Sequence, residues 1–471
     1  MQYSVVRYSS LERTTRLDSE YYQPFYLELE SNLDKKSSLP LTQYCKISDG
    51  NHLGIAESFQ DSGGVPYYRG QDLATFFIED ANPVHIPEAI YNHGQMKRSH
   101  FKAGDILLSI VGTVGSVSII TDKINKSTGS CKIAILRPSN VKSEYVAIFL
   151  KSKYGQFQIE RNTRGAVQKG LILEDMNQIR VFQPSERFEG YISKIAISSL
   201  ELNRGSKSLY SQAENIFLKE LGLDSWKPKH QLSYVKNFSD AQKAERIDAE
   251  YFQPQYEEVE SALRGYSKGY SHIKNEFEHI KTTFNTQPNK EYKYVEIGSV
   301  SVSNGEIIPE IVLGSELPDN AKRKLSKGQI VISKVRTYRG AITIIDSDDY
   351  VGSGAFTVLQ EKSNSKINKE TLLTLLKSKP LLAWSLKPNT GTSYPVIIDE
   401  DILGLPLPLI PQAVQSKIKE NIEESGLMRS KSKALLEIAK KAVELAIEES
   451  EDKATKWIDS ELTRLQIKLD A

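Results

Sequence analysis

The 471-residue chain is poor in the features that would place it in several large protein classes. It has only two cysteines, Cys45 and Cys131, neither in a Cys-x-x-Cys spacing. A disulfide scaffold is therefore not expected, and both thiols read as reduced residues of a cytoplasmic protein. No apolar run approaches the roughly 18 residues that cross a bilayer, so no membrane association is expected. The start, Met1 to Tyr8, has no basic stretch leading into a hydrophobic core, and no signal peptide is evident. The net charge of +1 favours neither sign, so an anionic partner has to be met by local patches. With 39% apolar and 26% charged residues the composition is that of an ordinary folded protein, and the length suits roughly two to four domains.

Catalytic signatures are missing as well. There is no Asn/Asp-Pro-Pro-aromatic tetrapeptide of the kind that clamps a flipped base, and no Gly-x-x-x-x-Gly-Lys-Ser/Thr to cradle a nucleoside triphosphate. Asp346, Asp348 and Asp349 have no Glu-x-Lys partner nearby and read as a loop. Gly112-Thr-Val-Gly115 reads as a strand connection. His85, His93 and His100, with Cys131, match no zinc spacing, so no metal site is expected. The chain is expected to recognise something while other proteins do the chemistry, and to bind no cofactor itself.

What the chain does have is itself, twice. Arg16-Leu-Asp-Ser-Glu-Tyr-Tyr-Gln-Pro opens an 18-residue stretch ending at Leu33, and Arg246-Ile-Asp-Ala-Glu-Tyr-Phe-Gln-Pro opens its copy ending at Leu263, with 11 of the 18 positions identical. The repeat is too long for a solenoid, whose units run about 20 to 50 residues, so it marks a duplicated domain. Gly104-Asp-Ile-Leu-Leu-Ser-Ile-Val-Gly-Thr113 aligns with Gly328-Gln-Ile-Val-Ile-Ser-Lys-Val-Arg-Thr337, in both cases a β-branched run, a turn and a second run. Leu150-Lys-Ser-Lys153 recurs as Leu376-Lys-Ser-Lys379, and Glu174-Asp175 as Glu400-Asp401.

Each α/β unit is followed by helical sequence. Phe188, Ile195, Leu202, Leu209 and Ile216 fall seven apart, joined on the same face by Ile192, Ala213, Phe217 and Leu221, before Gly222 and Pro228 stop the pattern. The second stretch places Met428, Leu435, Ile438, Ala442 and Leu445 on one side, and Glu448 to Asp452 reads as a solvated part of that helix. The expected architecture is α+β: a repeat element at 1–33, a mixed α/β domain at 34–184, a central long helix at 185–222, a linker with the second repeat element at 223–263, a second α/β domain at 264–411 and a C-terminal long helix at 412–471. The two helices are expected to pair as an antiparallel coiled coil in a pseudo-two-fold arrangement.

The repeated Arg-x-Asp-x-Glu-Tyr-x-Gln-Pro, the segment Tyr67-Tyr-Arg-Gly-Gln-Asp-Leu73, the Gly-Asp-Ile-Leu-Leu-Ser strand before Gly112-Thr-Val-Gly115 and the long helix after each unit together resemble the specificity subunit of type I restriction-modification systems. The resemblance covers nearly the whole chain. It implies two target-recognition domains, each reading one half of a bipartite double-stranded DNA target, with paired helices fixing their separation. It further implies two docked methyltransferase subunits using S-adenosylmethionine and, through them, a motor-nuclease subunit using ATP and Mg2+. A subunit of a modification-only methyltransferase, or a protein-protein adaptor without DNA, is the alternative.

The chemistry of backbone and base-edge contacts selects candidate residues in each domain. In the first they are Arg69, Gln71, Lys97, Arg98, His100, Thr113, Arg161, Arg164 and Lys169. In the second they are Lys322, Arg323, Lys324, Lys334, Arg336, Tyr338, Arg339, Asn389 and Tyr394. Because the scaffold repeats and these side chains do not, two different half-sites are expected. The repeated Arg-x-Asp element reads as a structural cap.

Overall fold

A computed structural model describes residues 4–9, 11, 16–165, 169–389 and 394–469. Two compact units divide the chain, Met1–Arg204 with Met428–Ala471, and Gly205–Leu427. Each contains one α/β domain and one end of each long helix.

In the first unit, Pro24 begins a helix that runs to Asp34, its fixed backbone angle and missing N–H suiting the first helical turn. The chain enters the α/β domain on strand β1 (Ser38–Pro40) and leaves on β9 (Arg180–Phe182), and these two strands pair antiparallel. Between them, β2 (Cys45–Asp49), β5 (Ile106–Ser109), β6 (Val117–Ile119) and β8 (Ile133–Pro138) form an antiparallel sheet in the order β2-β8-β5-β6. A second sheet, β4-β3-β7, is built from β3 (Val65–Tyr68), β4 (Val84–Ile86) and β7 (Thr128–Gly129), with β3 and β7 parallel.

Strand β5 is apolar at consecutive positions because both faces of its sheet are covered. Ile106 and Leu108 join the core beneath the helices Ser143–Lys151 and Lys153–Asn162. Leu107 points the other way, to Tyr68 of the second sheet with Ile133 and Ile135.

The second unit repeats this plan. Strands β10 (Tyr270–His272) and β19 (Pro406–Pro408) close the domain, and β11 (Phe277–His279), β15 (Ile330–Ser333), β16 (Ile342–Ile344) and β18 (Phe356–Glu361) order as β11-β18-β15-β16. The companion sheet is β13-β12-β17-β14, from β12 (Glu291–Val295), β13 (Glu310–Leu313), β14 (Ala321–Lys324) and β17 (Tyr350–Ser353), and β12 and β17 form the parallel pair. Ile330 and Ile332 of β15 face the helices Lys369–Lys377 and Lys379–Trp384, while Val331 faces Val295 and Tyr350. The duplication is thus one of topology, register and facing, not only of letters.

The long helices run Glu186–Glu220 and Gln412–Glu448. In the first unit they lie antiparallel, Ser185 meeting Glu451 and Ser199 meeting Ser432. Phe188, Ile192 and Ile195 pack there with Leu435, Ile438 and Ala442. The heptad reading drifts from the seam beyond this point. Leu202 and Leu209 are only partly buried, and the buried positions are Ser199 and Ser206 instead. Ser199 donates its hydroxyl to the Ser432 carbonyl at 2.9 Å and Ser432 donates back to Ser199 at 2.8 Å. In the second unit Ser206 and Ser425 make the same reciprocal pair at 2.8 Å. Small side chains bring the backbones close, and each of these four hydroxyls finds a carbonyl across the pair.

The C-terminal helix is not continuous to the end of the chain, as its sequence suggested. It stops at Glu448, Ser450 adopts an extended backbone, and its side chain accepts from the Lys453 N–H to cap a new helix, Glu451–Arg464. Ala454, Ile458 and Leu462 of this helix are buried in the first core, which explains the turn.

Replacing Ser199 with Leu, which would complete the apolar stripe on paper, is expected to destabilise the protein by about 1–3 kcal/mol through overpacking. Chemical denaturation of the full chain measures this, and a stabilised variant would mean that the seam has room for a branched side chain.

Candidate nucleic-acid interface

Each domain is fastened to its repeat element by a cation, buried in the first domain and half-buried in the second. Arg161, at the end of the helix Lys153–Asn162, lies 4.0 Å over the Tyr21 ring, donates to the Tyr21 carbonyl at 2.8 Å and pairs with Glu30 at 2.9 Å. Lys387, the structural counterpart in the second domain, lies 4.9 Å over Tyr251 and donates to Glu260 at 2.7 Å, and Trp384 adds a bond to the same carboxylate at 2.8 Å. Tyr21 and Tyr251, and Glu30 and Glu260, occupy matching places in the repeated sequence. Aromatic face and carboxylate together compensate a desolvated positive charge. Arg161 is therefore not an open phosphate contact: it is only 7% exposed and is used by the latch.

The arginine that opens each repeat element does related work. Arg16 bonds both oxygens of Asp18 at 2.6 Å and lies 4.9 Å over Tyr21. Arg246 bonds Asp248 at 2.8 and 2.7 Å, lies 4.6 Å over Tyr251, and also donates to the Pro388 and Asn389 carbonyls at 3.1 and 2.9 Å. Bonds from these guanidiniums hold the carboxyls of Asp18 and Asp248 below their ordinary range. A carboxylate with a depressed pKa keeps its stabilising contribution above the unfolded value and loses it as pH falls through the folded one. The pairs are thus intact at neutral pH.

What is held is a loop that lies along the turn after β5 or β15. In the first domain Val111 bridges Gly170, and Leu171 N–H donates to the Ile110 carbonyl at 2.9 Å. In the second, Val335 bridges Val396, and Arg336 N–H donates to the Pro395 carbonyl at 2.8 Å. The side chains presented differ. In the first domain, a cleft of about 910 Å³ opens between the repeat element and this loop pair, lined by Gly112, Thr113, Arg164 and Lys169. Thr113 turns its hydroxyl back to the Gly70 carbonyl at 2.9 Å, and Arg164 pairs with Asp175 at 2.6 Å while half of its side chain stays in solvent. Lys169 is exposed. In the second domain Arg336 lies 4.7 Å over the Tyr394 ring, Tyr394 and Arg339 are exposed, and Tyr338 and Asn389 are half-buried. Lys334 approaches Asp399 at 3.7 Å. Residues 166–168 and 390–393 lie outside the described residues.

The remaining candidates lie on the companion sheets. Lys322, Arg323 and Lys324 lie on β14, an edge strand on which Lys322 and Lys324 are exposed. Arg323 folds back to the Lys281 carbonyl at 2.9 Å. At the corresponding place the first domain has the short helix Gly94–Ser99 and a single bridge from His100 to Thr128. Lys97 is exposed there, and Arg98 reaches Asp49 at 3.3 Å. The His100 ring stacks on Tyr91 with centroids 3.8 Å apart. Arg69 is committed to Asp72 at 3.1 Å, which shapes the turn, and its neighbour Gln71 is exposed. Among the described residues no three His, Cys, Asp or Glu side chains gather as a metal site, and no helix is long and apolar enough to cross a membrane.

Residues 37–193, the first α/β domain and the start of the central helix, match the model of the type I restriction modification DNA specificity domain. The EcoDI specificity subunit of Escherichia coli is 27% identical over 105 residues, 22% of this chain and 22% of that protein. The HindI specificity subunit of Haemophilus influenzae is 27% identical over 143 residues, 30% of each. The matched stretches therefore span about a fifth to a third of these curated relatives. Among solved structures, the S subunit from M. genitalium overlays with a TM-score of 0.36 at 13% identity, covering 91% of this chain and 95% of that one. The HsdS subunit from Thermoanaerobacter tengcongensis gives 0.26 at 12%, covering 91% and 96%. At those scores the overlays add nothing to the fold described above. The first domain is thus similar to a type I DNA specificity domain, and the second repeats its topology. Over these stretches the chain is similar to the specificity subunits of type I restriction-modification systems.

Arg246→Ala is expected to free the Pro388–Asn389 backbone without unfolding the domain. Amide hydrogen exchange in residues 386–389 and 394–397 should quicken, with the core strands β15 and β18 unchanged. Unaltered exchange in the loop would show that the guanidinium does not hold it.

Proposed function

We propose that this chain is the DNA-recognition and scaffold subunit of a type I restriction-modification complex, reading a bipartite, asymmetric double-stranded target with one domain per half-site. The observation that carries the reading is the pairing of a repeated frame with unrepeated side chains. The latch, the closing strand pair and the loop pair recur in both domains. The groups at the tip are Thr113, Arg164 and Lys169 in one and Arg336, Arg339 and Tyr394 in the other. A common frame with different donors suits two different base sequences. The lysines of β14, with Lys97 and Arg98, suit phosphates, which fix orientation without reading sequence.

The long helices are the ruler in this reading. Helices of 35 and 37 residues extend for roughly 50–55 Å at about 1.5 Å per residue. The chain itself does no chemistry. Two methyltransferase subunits dock on it and bind S-adenosylmethionine, and a motor-nuclease subunit that joins through them uses ATP and Mg2+. Apolar side chains left in solvent at matching positions of the repeat support a protein partner taken twice: Val5 and Val235, Tyr8 and Phe238, Leu17 and Ile247 are all at least 74% exposed.

Sequencing of modified bases in the host genome, with and without the gene, should show a bipartite methylated motif that disappears on deletion. An unchanged methylome would exclude the reading. Inserting one heptad between Ser199 and Ser206 should change the length of the unread spacer and leave both half-sites as they were. A motif with the same spacer would remove the helices from the role of ruler.

A further inference from the structure

Four described residues other than glycine have a left-handed backbone: Asn140, Glu245, Arg336 and Gln466. Asparagine tolerates that conformation, and Glu245 and Gln466 stand just past helix ends, where a single left-handed residue commonly stops the helix. Arg336 is different. It lies in the turn after β15 with φ of 51°, at the position where the first domain has Gly112 with φ of 84°. Glycine adopts this geometry freely, whereas a long side chain adopts it against a steric penalty, and strain of this kind gathers at functional positions.

The strained residue is also firmly placed. Its N–H donates to the Pro395 carbonyl at 2.8 Å, and its carbonyl accepts from the Arg339 N–H at 2.9 Å. Its guanidinium lies on the Tyr394 ring, 65% of Tyr394 being exposed, and has no carboxylate partner among the described residues. Arg246 is bound to Asp248, and Arg323 to a backbone carbonyl. A planar fork backed by an aromatic face, with its donors open, is the group that binds the O6 and N7 acceptors of guanine in the major groove.

We propose that Arg336, supported by Tyr394, reads a guanine in the half-site of the second domain, and that its strained backbone is kept for that contact. The inference rests on the DNA-reading function above.

The test uses the full-length chain in its methyltransferase complex, a duplex library randomised across the target, and thermal melting. Arg336→Gly should melt at or near the wild-type temperature, since relief of strain offsets the glycine's extra freedom in the unfolded chain. It should lose roughly 10- to 100-fold discrimination at one base pair of one half-site. Arg336→Lys keeps the charge but not the fork, and should lose the same discrimination while retaining most affinity for the duplex pool. Uniform weakening of all sequences, with a salt slope lower by about one, would make Arg336 a phosphate contact and overturn the assignment. A lower melting temperature with the base preference intact would make it structural and overturn it equally. A wild-type complex that selects no bipartite sequence would overturn the DNA-reading function, and the assignment with it.

Discussion

The fold depends on a positive charge withdrawn from water in both domains, fully at Arg161 and partly at Lys387. Arg161 ends a helix pair and Lys387 follows the equivalent one, and each rests on a tyrosine of the repeat element and is neutralised by a glutamate further along it. A desolvated cation without such partners would be costly, so the contact is demanding in geometry. That demand accounts for the persistence of Arg-x-Asp-x-Glu-Tyr-x-Gln-Pro in both copies. The element looks like a recognition motif and acts as a fastening.

The loops that differ between the two domains hang from that fastening. In the second domain Arg246 reaches from the same element to the carbonyls of Pro388 and Asn389, just ahead of the loop that carries Tyr394. The loop in turn hydrogen-bonds along the turn that carries Arg336. Side chains at the tip are free to differ because none of these contacts uses them. The same frame is built twice and carries two different sets of side chains.

Much of this was legible in the sequence, and the failures have physical causes. The β-branched runs around Ile106–Ser109 and Ile330–Ser333 announce buried strands, and the duplicated letters align the two domains well enough to set Arg336 against Gly112. That alignment was the available sign of strain, since a non-glycine opposite a turn glycine is a conformational oddity. Arg161 was misread as a DNA contact because Glu30 lies 131 residues away in sequence. Ser199 and Ser206 escaped the heptad pattern because hydroxyls that bond across a helix pair carry no apolar signal. The break at Ser450 was hidden in a charged run that suits a helix on composition and is interrupted by one cap.

The strand pairs that close each domain have a consequence for how such a chain changes. Ser38–Pro40 lies beside Arg180–Phe182, and Tyr270–His272 beside Pro406–Pro408. Paired strands put the points of entry and exit about 5 Å apart. Each α/β domain is therefore an insert with adjoining ends, and the chain on either side need not move to accept another of different length. Such a junction makes the exchange of a whole domain between related genes a local event. Replacing a whole domain changes many loop side chains in one step, where point substitutions would change them singly.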